Sequence, residues 1–239
     1  MKHRRMDSLR TATGLCVLAL LTACASLAPV GDPVPAPGLR VGDTWTYAVY
    51  DGYRGTQKGS TRYSVQQITS HAVVTRREAG DGPDTRIFTW EWNPYTEELP
   101  EQRMADFSPP FPAFAFPLED GKRWSGTVIA VEGKTGRRYP VHVFARVAGR
   151  ETLKTAAGSF DAIRVERSIY LDNHEWWRSG TRWYQSEWYA PAVGRSVRYQ
   201  DYSEYTDYTK SNDEPLIRSA IIPGDKTVLE LTAYRLAPR

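Results

Sequence analysis

Behind its first 23 residues the chain holds three histidines, His71, His142 and His174. No two are four apart, the spacing that sets a pair of imidazoles on one helix face for a metal. Asp172-Asn173-His174-Glu175 gathers metal-capable side chains, yet it reads as a hairpin tip that is polar because water surrounds it. Val193-Gly194-Arg195-Ser196-Val197 fails the Gly-x-Ser-x-Gly spacing of a nucleophile elbow, and no phosphate-binding glycine loop occurs. The acid pairs Glu97/Glu98 and Glu119/Asp120 fall in apparent loops, where spacing alone does not bring two carboxylates to one cleft. With so thin a catalytic set, we expect a protein that is not an enzyme and holds neither cofactor nor metal. A metal-dependent hydrolase is the alternative, and it needs His142 and His174 to converge with a carboxylate.

Cysteine offers the more specific chemistry. The chain has two, Cys16 and Cys24. Cys16 sits in the apolar run 13–21, which follows the basic start Met1-Lys2-His3-Arg4-Arg5 and is too short to cross a bilayer as a stable helix. Residues 1–23 therefore read as a cleaved export signal. Leu21-Thr22-Ala23-Cys24 resembles the lipobox of bacterial lipoproteins, which implies a diacylglyceryl group on the Cys24 sulfur, cleavage before it and acylation of the new amino terminus. Two or three acyl chains, at about 0.8 kcal/mol per buried CH₂, hold a protein on a membrane almost indefinitely. Ala25 stands where aspartate would signal inner-membrane retention, so the resemblance implies the outer membrane, inner leaflet, facing the periplasm. An ordinary secretory signal cut at Ala23 or Ala25 is the alternative. With Cys24 acylated and Cys16 removed with the leader, the mature chain keeps no free thiol and no disulfide, and thiol catalysis is excluded.

Charge changes meaning with the leader gone. Residues 1–23 carry four of the 31 basic side chains and one of the 28 acidic ones, so the formal charge of +3 falls to zero. Nucleic acid is therefore not an expected partner. The expected partners are the membrane, through the acyl chains on Cys24, and a lipid-like ligand or an envelope protein.

Positioning elements follow from composition. Residues 24–38 include Pro29, Pro33, Pro35 and Pro37, which remove backbone donors and favour extended geometry. This stretch reads as a tether, with a single β-rich domain over 39–239. Within that domain β-branched and aromatic residues alternate between Gly, Asn, Asp and Pro breaks, the signature of an antiparallel sheet. Strands are expected at 45–49, 61–68, 71–77, 85–92, 124–131, 139–147, 160–170, 181–189, 195–202 and 227–235. A short helix is allowed at 94–103. The run 108–117 is too rich in proline for either element. Gly42-Asp43-Thr44-Trp45 and Gly121-Lys122-Arg123-Trp124 share a spacing, so two half-sheets, 39–115 and 116–239, are an open alternative to coincidence.

Four segments occur in a familiar order: Phe116-Pro117-Leu118 with Gly121-Lys122-Arg123-Trp124, Ala157-Gly158-Ser159-Phe160-Asp161-Ala162, Trp188-Tyr189-Ala190-Pro191-Ala192-Val193-Gly194, and the closing run 228–236. Together they resemble a group of functionally uncharacterised exported bacterial proteins and lipoproteins. The resemblance covers about 116–199 and brings no catalytic residues. It implies a strongly curved antiparallel sheet or an open β-barrel. Physically, the glycines and Pro191 read as turn punctuation between strands.

Aromatic side chains are the candidate site. All eight tryptophans lie beyond residue 23. Phe88-Thr89-Trp90-Glu91-Trp92 would place three rings on one face of a strand, and Trp176, Trp177, Trp183, Tyr184, Trp188 and Tyr189 are dense. Three readings stay open: core filling, a trough for an acyl chain or stacked sugar rings, and a protein interface. Residues proposed for the trough are Trp90, Trp92, Trp176, Trp177, Trp183, Trp188 and Tyr189. Tyr199, Tyr202, Tyr205 and Tyr208 read as a polar strand-to-loop edge. The function expected is a membrane-anchored, periplasm-facing binding or structural protein; a carrier or sensor of a hydrophobic ligand is the alternative. Labelled palmitate should enter the parent chain and not Cys24→Ser, which should also leave the membrane fraction; equal labelling or identical fractionation contradicts the anchor.

Overall fold

The computed structural model describes residues 31–209 and 219–238; Cys24 and the lipobox lie outside the described residues. Gly31–Arg239 forms one compact unit. Among the described residues the regular structure is entirely strand: β1 (Thr44–Asp51), β2 (Gln57–Ile68), β3 (Val73–Ala79), β4 (Gly82–Phe88), β5 (Thr96–Leu99), β6 (Arg103–Ser108), β7 (Arg123–Glu132), β8 (Arg138–Thr155), β9 (Gly158–Leu171), β10 (Thr181–Ala190), β11 (Arg195–Asp207) and β12 (Ala220–Arg235). The sheet order is β4-β3-β2-β1-β12-β11-β10-β9-β8-β7-β6-β5, antiparallel throughout. Except for β4 and β5, chain neighbours are sheet neighbours, and β1 pairs with β12. The result is a nearly closed barrel with one unsealed seam, between β4 and β5.

Alternation explains the inward face. Tyr139, Val141, Val143, Ala145 and Val147 of β8 are all buried, while Phe144 between them is 62% exposed. Val141, Val143 and Val147 stand opposite Leu171, Ile169 and Val165 of β9. Each such side chain taken from water contributes about 1.5–3 kcal/mol. At the seam, only one end is stitched: Phe88 bridges Pro94, and the Tyr95 N–H donates to the Ile87 carbonyl at 2.9 Å. Further along, Asp84 and Arg86 share the inward parity of Phe88. Inward-pointing charge is one way a free strand edge is kept from pairing with another chain.

A proline-rich segment, 109–118, packs against the core. Phe111, Ala113, Phe114 and Leu118 are buried. Because its prolines cannot donate, side chains complete its hydrogen bonding. Asn93 accepts from Phe114 N–H at 2.7 Å and donates to Phe114 O at 3.1 Å, Trp124 Nε1 donates to Pro112 O at 2.9 Å, and Arg167 Nη1 donates to Ala113 O at 2.8 Å. Against Leu118 lies Val34, with backbone hydrogen bonds of 2.9 and 2.8 Å. The folded body thus begins before Leu39: within the stretch read as a tether, Val34 is 9% exposed and belongs to the core.

Three expectations are corrected. Residues 94–103 form no helix; they supply β5, a turn in which Glu101 and Gln102 have φ of 67° and 56°, and the start of β6. The two proposed half-sheets are not separate, because β6 pairs with β7 across the boundary, Ala105 opposite Glu132. The tyrosine run 199–208 is no edge, since β11 is paired on both sides, by β10 and β12. The shared Gly-x-x-Trp spacing does repeat a local job. Gly42 and Gly121 turn with φ of 92° and 76°, and Trp45 and Trp124 each donate an indole N–H to a loop carbonyl at 2.9 Å. Trp45 is fully buried and meets Trp92 edge to face. Trp45→Ala should therefore lower the unfolding free energy by about 3–5 kcal/mol in urea titration; a change below 1 kcal/mol, far under that range, contradicts this packing.

Candidate functional site

A cavity of about 480 Å³ lies inside the barrel. Its lining runs from Arg195, Trp92 and Phe88 to Lys58 and Asp81. Those last two are 62% and 66% exposed in their side chains, so the space reaches solvent at that end. Part of the lining is aromatic, with Phe107, Phe111, Phe114 and Trp183. Interleaved with these rings are ionic and polar groups: Arg86 on β4, Glu97 on β5, Arg167 on β9, Glu187 on β10, and Arg195, Tyr199 and Asp201 on β11.

Of the tryptophans and tyrosine proposed from sequence, Trp92 and Trp183 line this cavity. Trp188 and Tyr189 are buried elsewhere in the core, with Tyr189 against Phe114 and Phe116. Trp90 is 41% exposed and Trp176 is 85% exposed. Trp177 lies with Tyr205 and Arg178 in a separate surface groove. The expected three-ring stripe does not form, because β4 ends at Phe88. Thr89 Oγ1 accepts the N–H groups of Glu91 and Asn93, and Trp92 takes φ of 62°, so a turn swings Trp92 inward and Trp90 outward. There Trp92 Nε1 donates to Gly194 O at 2.8 Å.

Charge inside the barrel is held by specific partners. Arg167, with a side chain 2% exposed, donates to Gln185 Oε1 at 2.6 Å, to Ala113 O and to Glu187. Glu187 also accepts from Ser196 Oγ at 2.6 Å. Arg86 bonds both oxygens of Asp84 and approaches Glu97 at 3.8 Å across the seam. Surrounding protein raises the Glu97 carboxyl above its usual range, yet 37% of that side chain remains accessible, because it faces the void. Arg195 is caged instead by rings: its guanidinium carbon lies 4.2 Å from the Trp92 centroid, 4.3 Å from Tyr63, 5.3 Å from Trp45 and 5.5 Å from Phe88. Burial also pushes the Tyr47 and Tyr199 hydroxyls well up.

This arrangement suits binding: rings for an apolar surface, and fixed donors and acceptors that orient it. No imidazole or thiol is among its lining residues. His142 bonds Thr127 and stacks on Tyr170, whereas His174 pairs with Asp172 at 2.8 Å. Among the described residues no group of three His, Cys, Asp or Glu is placed to hold a metal. The 172–175 tip is less wet than expected, since Asn173 is 2% exposed and accepts the Thr181 N–H. Sequence reading missed Arg86, Arg167, Arg195, Glu187 and Asp201, and it set Glu97 aside in a loop, whereas the residue stands on β5 and lines the cavity. Strand parity carries the signal for several: Arg167 alternates in step with Val165 and Ile169, and Arg86 with Phe88.

Burial pushes the Asp201 carboxyl up to about 6, although Trp183 Nε1 and the Thr227 N–H both donate to it. The folded state therefore holds this proton more tightly than the unfolded chain, where the value is about 4. Its favourable contribution is complete below pH 4, is lost as pH rises towards 6, and stays lost above, a swing of about 3 kcal/mol. In urea unfolding the parent should lose that much relative to Asp201→Asn between pH 4 and 7; parallel profiles contradict the assignment.

No protein-family model matches the chain, and no curated protein matches it. Three solved structures are similar. One is a candidate exported protein with a YmcC-like fold from Bacteroides fragilis, at 17% identity and a TM-score of 0.48, covering 85% of this chain and 100% of its own. Another is a candidate lipoprotein from Parabacteroides distasonis, at 16% identity and a TM-score of 0.46, covering 86% of this chain and 100% of its own. The third is the hypothetical lipoprotein YmcC from Escherichia coli, at 14% identity and a TM-score of 0.46, covering 83% of this chain and 86% of its own.

Proposed function

We propose that the chain is a non-catalytic, lipid-anchored protein of the cell envelope whose barrel binds one small molecule in its interior. The lipobox-like Leu21-Thr22-Ala23-Cys24 supports the anchor at Cys24, and Ala25 supports the periplasm-facing leaflet of the outer membrane. The observation that carries the binding role is the solvent-connected cavity of about 480 Å³, in the size range that takes one drug-sized ligand. Its walls narrow the alternatives raised by the sequence. A carrier of long acyl chains would have a continuous apolar trough built from the 176–189 aromatics; this space is part ionic, and only Trp183 of that group lines it.

The test is native mass spectrometry of residues 24–239 carrying Cys24→Ser, a form that needs no detergent. The described core lies wholly within it. The expected result is a population of ions carrying one extra small-molecule mass, released on unfolding. A bare mass in every preparation, including protein taken gently from the periplasm, contradicts the proposal.

A further inference from the structure

The geometry points to an organic anion as the cavity's ligand: one negatively charged head group held at Arg195, and an apolar body along the rings of the cavity lining. This inference rests on the cavity-binding reading above and names the chemistry of its ligand.

Arg195 differs from the other arginines that line the cavity. Arg77 has Asp81 and Asp84, Arg86 has Asp84 and Glu97, and Arg167 has Glu187, each within 4.0 Å. No carboxylate among the described residues pairs with Arg195, and its Nη1 is buried without a hydrogen-bond acceptor. A buried donor of a cation left unmade is costly, and calls for an explanation in a folded protein. The Tyr47 hydroxyl, which gives its own proton to Ser196 O at 2.8 Å, turns its oxygen to this guanidinium, a neutral acceptor and not a countercharge.

The acids that could answer the charge are engaged elsewhere. Glu97 on β5 accepts the Glu98 N–H at 3.1 Å and faces Arg86. Glu187 on β10 takes Arg167 and Ser196. Asp201 on β11 takes Trp183 and Thr227. Trp92, Tyr63, Phe88 and Trp45 hold the guanidinium by cation–π contact and fix its plane. A pre-set fork spends little entropy on a carboxylate or phosphate, which it recognises better than a point charge does. Elsewhere in the lining, Phe107, Phe111, Phe114 and Trp183 offer an apolar surface. The ligand is therefore amphipathic and singly headed.

The test titrates decanoate, decanol and decylammonium, three heads on one body, into residues 24–239 with Cys24→Ser, following heat by calorimetry with the total tryptophan fluorescence, to which Trp92 and Trp183 in the lining contribute, as a second readout. Decanoate should bind at least about tenfold tighter than decanol, with decylammonium weakest. Arg195→Gln should bring decanoate and decanol to within about twofold, and Arg195→Lys should keep part of the preference. Equal binding of decanoate and decanol to the parent, or a preference that survives in Arg195→Gln, overturns the inference while leaving the cavity reading in place. No binding of any of the three overturns both. Should Arg195→Gln not fold, the ranking of the three heads by the parent decides.

Discussion

A barrel of twelve strands encloses more space than its own side chains can fill, since about eight is the number at which they suffice. The rest of this structure answers that constraint. On the β6–β8 side, Phe107, Val128, Val141 and Val143 fill the space in the ordinary way. The proline-rich segment 109–118 packs beside them with Phe111 and Phe114, and its carbonyls are satisfied by Trp124 and Arg167 rather than by a ladder. What neither source fills is the cavity.

The wall facing that cavity is expensive by comparison. Burying Arg167 with Glu187, and Arg86 with Asp84, removes charge from water, and such pairs often contribute no more than apolar residues of the same volume would. Stability alone thus gives little reason for an ionic interior. Its partners are nonetheless well placed: Arg167 makes three hydrogen bonds, and Asp201 accepts three. A polar interior with fixed partners and a path to solvent is what a binding site requires, and Arg195 is the arginine of its lining that no carboxylate of the described residues pairs and whose Nη1 has no hydrogen-bond acceptor.

Much of the fold is legible in period-two alternation. Ten strands follow from it, because a run such as Tyr139 to Val147 hides only one face. β5 and β6 are not legible. Thr96-Glu97-Glu98-Leu99 has neither the β-branched content nor a clear apolar face, and its strand state comes from pairing with β6. Trp90 and Trp92 mislead for a related reason: the alternation continues in the letters after Phe88, while Thr89 caps a turn in the backbone. The ionic wall is half legible. Arg167 betrays itself by sharing the parity of Val165 and Ile169, but Arg195 opens a strand and meets its four rings only when β1, β2 and the 89–93 turn come together. No local pattern encodes that meeting, or the closure of β1 on β12.

The most direct test is a high-resolution crystal structure of the full body, read for electron density between Trp183, Phe111 and Arg195. The account predicts ordered water or a bound molecule in an open space there, with the Arg195 guanidinium still framed by its rings. An interior collapsed onto itself, with side chains occupying that space and Arg195 turned to bulk solvent, would contradict it.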